Sequence, residues 1–309
     1  MDLISAYTFG IRNSTNFLQD KPYRDHWLHL YLCRHRHHFW PQELPSLASL
    51  CSKLGFRLYP VSVDRANEEL RPAEDEAVVY KAIHAGIDRE ENLEGDSSVL
   101  YSTTVRQRDL SIASEILDQV LAGHETAGIV LTYLAWCLSQ RQGLQDQLRE
   151  ELLTLNSKEL DGLPLLHAVV METLRLHAPI PGPQPRMTPY PCCKIGGYII
   201  PGGVRIAALA HTLHLDDKVY PDPEHWDHKR WLDQTEQRRR DMNRQFWAFG
   251  SGGRMCIGSN FATNEMKHIV AMIYSNFKTS VVNDDGMEQI DGYSARPAGE
   301  QLFLKFTAL

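Results

Sequence analysis

Hydrophobic residues recur at helical intervals over most of the chain. In the clearest stretch, 111–139, apolar side chains fall three or four positions apart: Ile112, Ile116, Val120, Ala127, Leu131, Leu134 and Leu138. Similar spacing, with Pro41 and Pro45 as breaks, predicts further helices over 1–60, 78–87, 142–153, 164–176 and 260–277. The pattern therefore predicts a mainly helical protein.

Short strands are predicted only in the second half of the chain. The six prolines from Pro179 to Pro191 require an extended or turning backbone. Residues 195–208 indicate a strand, a Pro-Gly-Gly turn and a second strand, and 280–282 with 302–306 predict a small terminal sheet. We expect 230–249 to be irregular and the charged residues of 65–98 to form a solvated connection around the helix at 78–87.

Composition narrows the class of protein. The chain has 309 residues, 43% apolar and 23% charged, which is typical of a soluble globular protein. Its net charge of -7 argues against a general nucleic-acid binder. Six cysteines without a C-x-x-C pair indicate free thiols in a reducing compartment. No signal peptide is visible and no apolar stretch is long enough for a bilayer, so we expect no transmembrane segment in this chain.

A glycine-rich loop around one cysteine, residues 249–258 (FGSGGRMCIG), is the strongest chemical feature. Its glycines let a flat ligand approach Cys256, while loop amides and the start of the next helix favour the thiolate that ligates metal. Arg254 offers a planar cation suited to a carboxylate of a porphyrin. The alternative is a turn around a buried structural cysteine. A dinucleotide-binding fingerprint fails because Met255 stands where its third glycine belongs.

Two further segments place polar groups inside apolar helices. Glu172 and Arg175 are three residues apart and share a helix face, so they can form an ion pair. The pair is either a surface salt bridge or a buried one, and a buried pair needs further hydrogen-bond donors. In the long helix, Glu125 and Thr126 interrupt the apolar pattern. The alternative there is a kinked core helix with a solvated Glu125. Gly123 is expected to leave a groove for a flat ligand, and His124 to face solvent or a helix neighbour.

These segments, in this order, resemble the cytochromes P450. Residues 249–258 match F-G-x-G-x-R-x-C-x-G at every fixed position, 172–175 match E-x-x-R, and 122–126 match A-G-x-E-T. The resemblance is strong over 111–277. It is weaker before that, where 2–17 and 39–44 are similar to fungal members of the family.

The resemblance implies a role for each candidate site residue. Cys256 would be the axial ligand of the haem b iron, and Glu125 and Thr126 would be the catalytic pair that delivers protons during oxygen activation. The remaining haem-binding residues would be Arg254, Arg186, Phe249, Gly250 and Gly258, although Arg186 is equally compatible with a surface arginine.

The family's third structural residue is an arginine that joins the E-x-x-R pair. Arg230 takes that place, so Glu172, Arg175 and Arg230 would lock the cysteine loop. The proline and glutamate that usually precede this arginine are replaced by His228 and Lys229, which puts the shape of that loop in question.

The function implied is that of a haem-thiolate monooxygenase. It would insert one atom of O₂ into a small lipophilic substrate, such as a fungal secondary metabolite. Electrons would come from NADPH through a separate cytochrome P450 reductase, at the cytosolic face of the endoplasmic reticulum membrane or, without an anchor, in the cytoplasm. One alternative is an inactive remnant that binds a partner or lipid. Another is an oxygen-independent haem isomerase, against which the intact Glu125–Thr126 pair argues.

The expected fold is the C-terminal two-thirds of the P450 fold, mainly α with minor β, as one partial domain. Residues 1–110 would form substrate-side helices and a connection, and 111–309 the haem-binding core. The family's W-x-x-x-R helix is missing, since the only such spacing, Trp226 to Arg230, lies on the wrong element. We therefore expect a truncated chain that retains haem weakly.

Two basic tracts leave alternatives open. Residues 34–38 (RHRHH) indicate a solvated basic face that rests on anionic lipid, or a metal-binding tract. Residues 238–240 (RRR) indicate a docking patch for an acidic flavoprotein, or plain surface charge.

Overall fold

The computed structural model describes residues 2–9, 15–37, 45–60, 78–154 and 160–309. The chain divides into two compact units, Met1–His124 and Glu125–Leu309, and the division falls within the longest helix. The assignment of 1–309 to one domain remains a prediction.

The first unit is helical in its described parts. It contains α1 (Asp2–Phe9), α2 (Lys21–His37), α3 (Pro45–Lys53), α4 (Val78–Leu93), a 3-10 turn (Gly95–Ser97), a π-helical turn (Tyr101–Val105) and the beginning of α5 (Arg108–Ser139). Buried Ile87 of α4 packs with Ile112, Ile116 and Val120 of α5. The helix predicted over 111–139 is confirmed, and its core-facing spacing explains this packing.

The second unit has a helical core. It holds the end of α5 followed by α6 (Gln142–Leu153), α7 (Pro164–Leu176), α8 (Ala210–His214), α9 (Glu236–Gln245) and α10 (Ser259–Asn276). Leu134, Leu148, Leu166 and Val270 bring α5, α6, α7 and α10 into one hydrophobic cluster. The helices predicted over 142–153, 164–176 and 260–277 are thereby confirmed to within a residue at each end.

Three antiparallel pairs of strands complete the second unit. They are β1 (Pro183–Met187) with β4 (Arg205–Leu209), β2 (Cys192–Ile195) with β3 (Tyr198–Pro201), and β5 (Phe277–Asn283) with β6 (Phe303–Ala308). The terminal sheet and the extended proline-rich segment were predicted correctly. The described residues therefore form a mainly α fold with minor β, as expected from the sequence.

The predicted strand, Pro-Gly-Gly turn and second strand are confirmed as β3, a turn at Gly202 and Gly203, and β4, but these two strands do not pair with each other. Strand β3 forms a hairpin with β2, which turns at Gly196, whose φ is +59°. Strand β4 pairs with β1. The Pro-Gly-Gly segment thus connects two different sheets. The N–H groups of Gly202 and Gly203 donate to the carbonyls of Pro191 and Thr188 at 2.9 and 3.0 Å. Those bonds tie the turn to the preceding proline-rich segment.

The prediction that 230–249 is irregular was wrong, because α9 occupies the centre of this segment. This helix has few apolar residues, so hydrophobic periodicity does not reveal it. Its beginning is fixed by Thr235, whose side chain accepts a hydrogen bond from the Arg238 N–H. An ion pair between Glu236 and Arg240, one turn apart, adds to the helix.

Among the described residues, the helices are all too short or too polar to cross a membrane.

Candidate functional site

Glu172 of α7 is fully buried and accepts five hydrogen bonds. Its Oε1 accepts from Arg175 Nη2 at 2.8 Å, from Arg230 Nε at 2.9 Å and from the backbone N–H of Asp227 at 2.9 Å. Its Oε2 accepts from Arg175 Nε and Trp231 Nε1, both at 2.9 Å. The carboxylate therefore has its lone pairs occupied, which is what burial of a charge requires.

The N–H groups that the two arginines do not give to Glu172 bind backbone carbonyls of 214–225. Arg175 Nη1 donates to His214 O at 2.8 Å and to Pro223 O at 2.7 Å, and Arg230 donates to the carbonyls of Pro221, Asp222 and His225. The structure thus brings Glu172, Arg175 and Arg230 into one buried network that joins α7 to the segment before α9. Sequence reasoning missed Trp231, although it directly follows Arg230.

The cysteine loop, residues 249–258, is closed by its own backbone. The Cys256 N–H donates to Phe249 O at 2.7 Å, and the Met255 N–H donates to Gly252 O at 3.0 Å. Gly250 and Gly252 have φ values of +70° and +71°, in the left-handed region that favours glycine. The glycines thus permit a tight loop that holds Cys256 immediately before α10.

No side chain covers the thiol of Cys256 within the part of the chain that the structure describes. Cys256 is exposed, there is open space at Gly252 and Gly253, and a Cβ on Gly258 would lie 3.9 Å from Sγ. Buried Cys137 shows the opposite environment, where desolvation raises the pKa of the thiol to about 12. The alternative of a sealed structural cysteine is therefore wrong for Cys256.

The donor set at Cys256 fits the metal of a flat macrocycle. The described residues hold no cluster of three or more His, Cys, Asp or Glu side chains that could bind a metal ion. A lone exposed thiolate would suit an iron whose other ligands are supplied by a porphyrin, as in haem–thiolate centres. The residues present therefore fit the haem that the sequence suggested.

Two arginines lie at this loop. Arg254 is exposed and makes no ion pair or hydrogen bond within the described ranges. Arg186 of β1 donates from Nη2 to Ser251 O at 3.0 Å, which places its guanidinium beside the loop. The haem-propionate role of both arginines remains a prediction.

Glu125 and Thr126 are consecutive and half-buried on α5. Glu125 Oε1 lies 4.0 Å from Arg296 Nη1, with the carboxylate side chain 21% exposed. An acid that is partly accessible to solvent therefore lies on a mostly apolar part of α5. Its proton-delivery role remains a prediction.

The expected ligand groove at Gly123 is filled by protein. A Cβ on Gly123 would lie 2.8 Å from Cδ1 and Cγ1 of Ile4, so the missing side chain makes room for α1. His124 contacts the ring of Trp27 edge-on, with centroids 5.9 Å apart. It therefore faces a helix neighbour, one of the two expected positions.

The two basic tracts differ in what the structure describes. The side chains of 34–38 lie outside the described residues. In α9, Arg238 donates to Val219 O at 3.1 Å and Arg240 pairs with Glu236, whereas the exposed Arg239 makes only a long 3.5 Å bond to Gln234 O. Part of the charge of 238–240 is thus used within the protein.

Two buried histidines next to the Glu172 network were not predicted from the sequence. Burial lowers the pKa of His214 to about 4, and the Arg175 charge acts in the same direction. Burial likewise lowers the pKa of His177 to about 4, and its ring stacks on Tyr133 with centroids 4.2 Å apart. Both histidines are therefore neutral at physiological pH.

Comparison with known proteins gives one consistent result. The family model described as Cytochrome P450 matches residues 92–301. Among curated proteins, the cytochrome P450 monooxygenase tazI of Aspergillus terreus is 33% identical over 195 residues, covering 60% of this chain and 39% of tazI. The cytochrome P450 monooxygenase FGM1 of Gibberella zeae is 33% identical over 208 residues, covering 64% of this chain and 41% of FGM1. The chain thus spans about two-fifths of the length of these relatives.

A solved structure shares the fold. Retinoic acid bound cyanobacterial CYP120A1 superposes with a TM-score of 0.68 at 23% identity, covering 100% of this chain and 66% of that one. This agrees with the expectation that the described fold corresponds to about two-thirds of the fold of such a protein.

Proposed function

Because this chain belongs to the cytochrome P450 family, we propose that it forms the haem-binding part of a monooxygenase. The reaction is the insertion of one atom of O₂ into a small lipophilic substrate. The observation that carries the proposal is the exposed thiol of Cys256 in a glycine loop closed by its own backbone hydrogen bonds. The named fungal relatives, all monooxygenases, support the same reaction class.

Cys256 would hold the haem iron through its thiolate. Arg254 and Arg186, both at the cysteine loop, would neutralise the propionates, and Gly250, Gly258 and Phe249 would contact the macrocycle. When bound, haem supplies the redox centre for O₂ activation, and thiolate ligation favours O–O cleavage over reversible oxygen binding.

The chain's own residues hold the thiolate still. The Cys256 N–H is committed to Phe249 O, and the Ser259 N–H donates to Cys256 O at 3.3 Å, so both sides of the cysteine backbone are fixed. The Glu172 network fixes α7 against the segment that precedes α9. Rigid placement of this kind avoids reorganisation during the reaction.

Glu125 and Thr126 would move protons. Glu125 would take up a proton from solvent, which its exposed fraction of 21% allows, and the Thr126 hydroxyl would donate a proton onward to the reaction site. Arg296 Nη1 lies 4.0 Å from Glu125 Oε1, so a cation stands beside the carboxylate.

Electrons would come from NADPH through a separate flavoprotein reductase. Arg239 and Arg244 are exposed on α9, and cations there would steer an acidic partner towards this part of the protein. The substrate class, a lipophilic secondary metabolite, and a location at the cytosolic face of the endoplasmic reticulum membrane follow from the family alone.

A carbon monoxide spectrum tests the proposal. Purified protein is mixed with haem, reduced and exposed to carbon monoxide, and we expect a Soret band at the thiolate-ligated position. Cys256→Ser removes the thiolate and should abolish that band. Cys192→Ser, which changes an exposed cysteine of β2, is the matched control and should retain it.

Two results would oppose the proposal. A band unchanged in Cys256→Ser would remove Cys256 as ligand, and absence of any thiolate-type band in the unaltered protein would favour a non-catalytic member of the family.

A further inference from the structure

We propose that His214 and Gln184 are positioning residues that hold the backbone of Trp247, and with it the entry to the cysteine loop. This inference deepens the proposed function, because it takes that loop to be the one that presents the thiolate. Neither side chain belongs to the Glu172 network or to the motif segments 122–126, 172–175 and 249–258.

His214 bridges two separate elements through its two ring nitrogens. Its Nδ1 lies 2.7 Å from the backbone carbonyl of Arg175 in α7, and its Nε2 lies 2.8 Å from the backbone N–H of Trp247. The ring is 1% exposed and stacks on Phe246, with centroids 5.5 Å apart and an interplanar angle of 21°. The bridge is therefore buried and its orientation fixed.

The partners of His214 determine its protonation. A carbonyl only accepts, so Nδ1 must carry the hydrogen that bonds to Arg175 O. The Trp247 N–H only donates, so Nε2 must be unprotonated and accept its hydrogen bond. Only the neutral ring with its proton on Nδ1 makes both bonds, and desolvation favours that neutral form.

Gln184 of β1 holds Trp247 from its other backbone atom. Its Nε2 donates to Trp247 O at 3.3 Å, and its Oε1 would lie 2.8 Å from a Cβ on Gly250. Gly250 also donates its N–H to Trp247 O, at 3.0 Å. Side chains from α8 and β1 thus hold both polar backbone atoms of the residue that leads into the loop.

The consequence is a direct mechanical link from the buried network to the loop. Arg175 binds Glu172 through its side chain and His214 through both its Nη1 and its carbonyl. His214 then binds Trp247. A change at His214 should therefore loosen the loop while the Glu172 network stays intact.

Two substitutions separate the nitrogens of His214. In His214→Gln, the side-chain carbonyl reaches the place of Nε2 and still accepts from the Trp247 N–H. In His214→Asn, the shorter amide takes the place of Nδ1, donates to Arg175 O and leaves Trp247 without an acceptor. Hydrogen–deuterium exchange at the Trp247 amide, measured on the protein without haem, distinguishes them, with the amides of α7 as reference.

We expect exchange at Trp247 to rise about tenfold in His214→Asn and to stay within about threefold in His214→Gln, since one hydrogen bond contributes on the order of a factor of ten. Equal increases in both variants, or an equal rise across α7, would overturn the positioning role and leave His214 as a packing residue. This readout does not depend on haem, so it stands or fails separately from the carbon monoxide spectrum.

Gln184→Glu tests the second contact, at a half-buried position of β1. The variant keeps the size of the side chain but replaces the donor facing Trp247 O by an acceptor. We expect faster exchange at the Gly250 amide, about threefold or more, with α7 unchanged. Unchanged exchange at Gly250 would remove Gln184 from the proposal.

Discussion

Glu172 carries one negative charge between two guanidinium groups, none of which is more than 7% exposed. A buried ion pair is costly to break from one side, because the remaining charge is left without a partner in a low dielectric. Here, removal of the carboxylate would leave Arg175 and Arg230 facing each other as like charges. The network is therefore more sensitive to loss of Glu172 than to loss of a surface acid.

We expect Glu172→Gln to lower the free energy of unfolding by about 3–5 kcal/mol. Urea unfolding followed by circular dichroism measures this change. Glu236→Gln, in an ion pair on α9 whose side chains are mostly exposed, is the control and should change stability little. Similar losses in the two variants would contradict the central place of Glu172.

The backbone conformation at position 250 favours glycine over any residue with a side chain. Its φ of +70° is unfavourable for a residue with a Cβ, and Gln184 Oε1 occupies the space that a Cβ would need. Gly253 lies in the same loop without a positive φ and with nothing within 4 Å of its Cβ position.

Gly250→Ala should therefore destabilise the protein by about 1–2 kcal/mol, the cost of a left-handed conformation for a residue with a side chain. Gly253→Ala should be close to neutral. Thermal unfolding of the two variants side by side tests this, and a larger loss at Gly253 would show that the backbone conformation is not what restricts the loop.

At the scale of elements, α9 shows how a helix can form without an apolar face. Its residues are mostly charged or amide side chains, and only Met242 is buried. Local bonds make up for this: the Thr235 cap, the Glu236–Arg240 pair, and the bonds from Gln237 to Asp241.

Thr235→Ala removes the cap and should cost about 1 kcal/mol, whereas Thr235→Ser keeps the hydroxyl and should restore most of that stability. Amide exchange in α9 would localise the effect to the first turn. An alanine variant with unchanged protection in that turn would show that packing at Met242 alone holds the helix.

The same elements show what the sequence could predict. Amphipathic helices such as α5 and α7 were found because their core-facing residues repeat with the helical period. The helix α9 was missed because it lacks that repeat. The pairing of β4 with β1 was missed because it depends on bonds between distant residues, such as those of Thr188 with Val204 and Gly203.

The residues of the candidate site were likewise predictable from the sequence only in part. Glu172 and Arg175 stood out because charges interrupt an apolar helix, and Cys256 because a single thiol lies in a glycine-rich loop. His214 and Trp231 gave no such signal, since their partners lie tens of residues away in the chain. Long-range hydrogen bonds of this kind leave no periodic trace in a sequence.

For the molecule as a whole, the buried neutral histidines couple stability to pH. His177 and His214 each have a pKa of about 4 in the folded protein, lowered mainly by burial and further by the nearby Arg175 charge. His211 adds repulsion at His214, whose hydrogen bond to the Arg175 carbonyl acts in the opposite direction, and a hydrogen bond that His177 donates to Gln289 partly offsets the effect of burial there. In the unfolded chain, a histidine has a pKa of about 6.5.

Between pH 6.5 and 4 the unfolded chain thus binds more protons at these two sites than the folded protein does. Stability must fall as the pH is lowered through this range, and the contribution, on the order of 3 kcal/mol per histidine, is fully present above pH 6.5. His177→Phe keeps a ring against Tyr133 but removes one titrating group, so its unfolding free energy should depend less steeply on pH across that window. Urea unfolding at intervals from pH 7.5 to 4 measures both slopes, and equal slopes would mean that His177 is not held neutral by its burial.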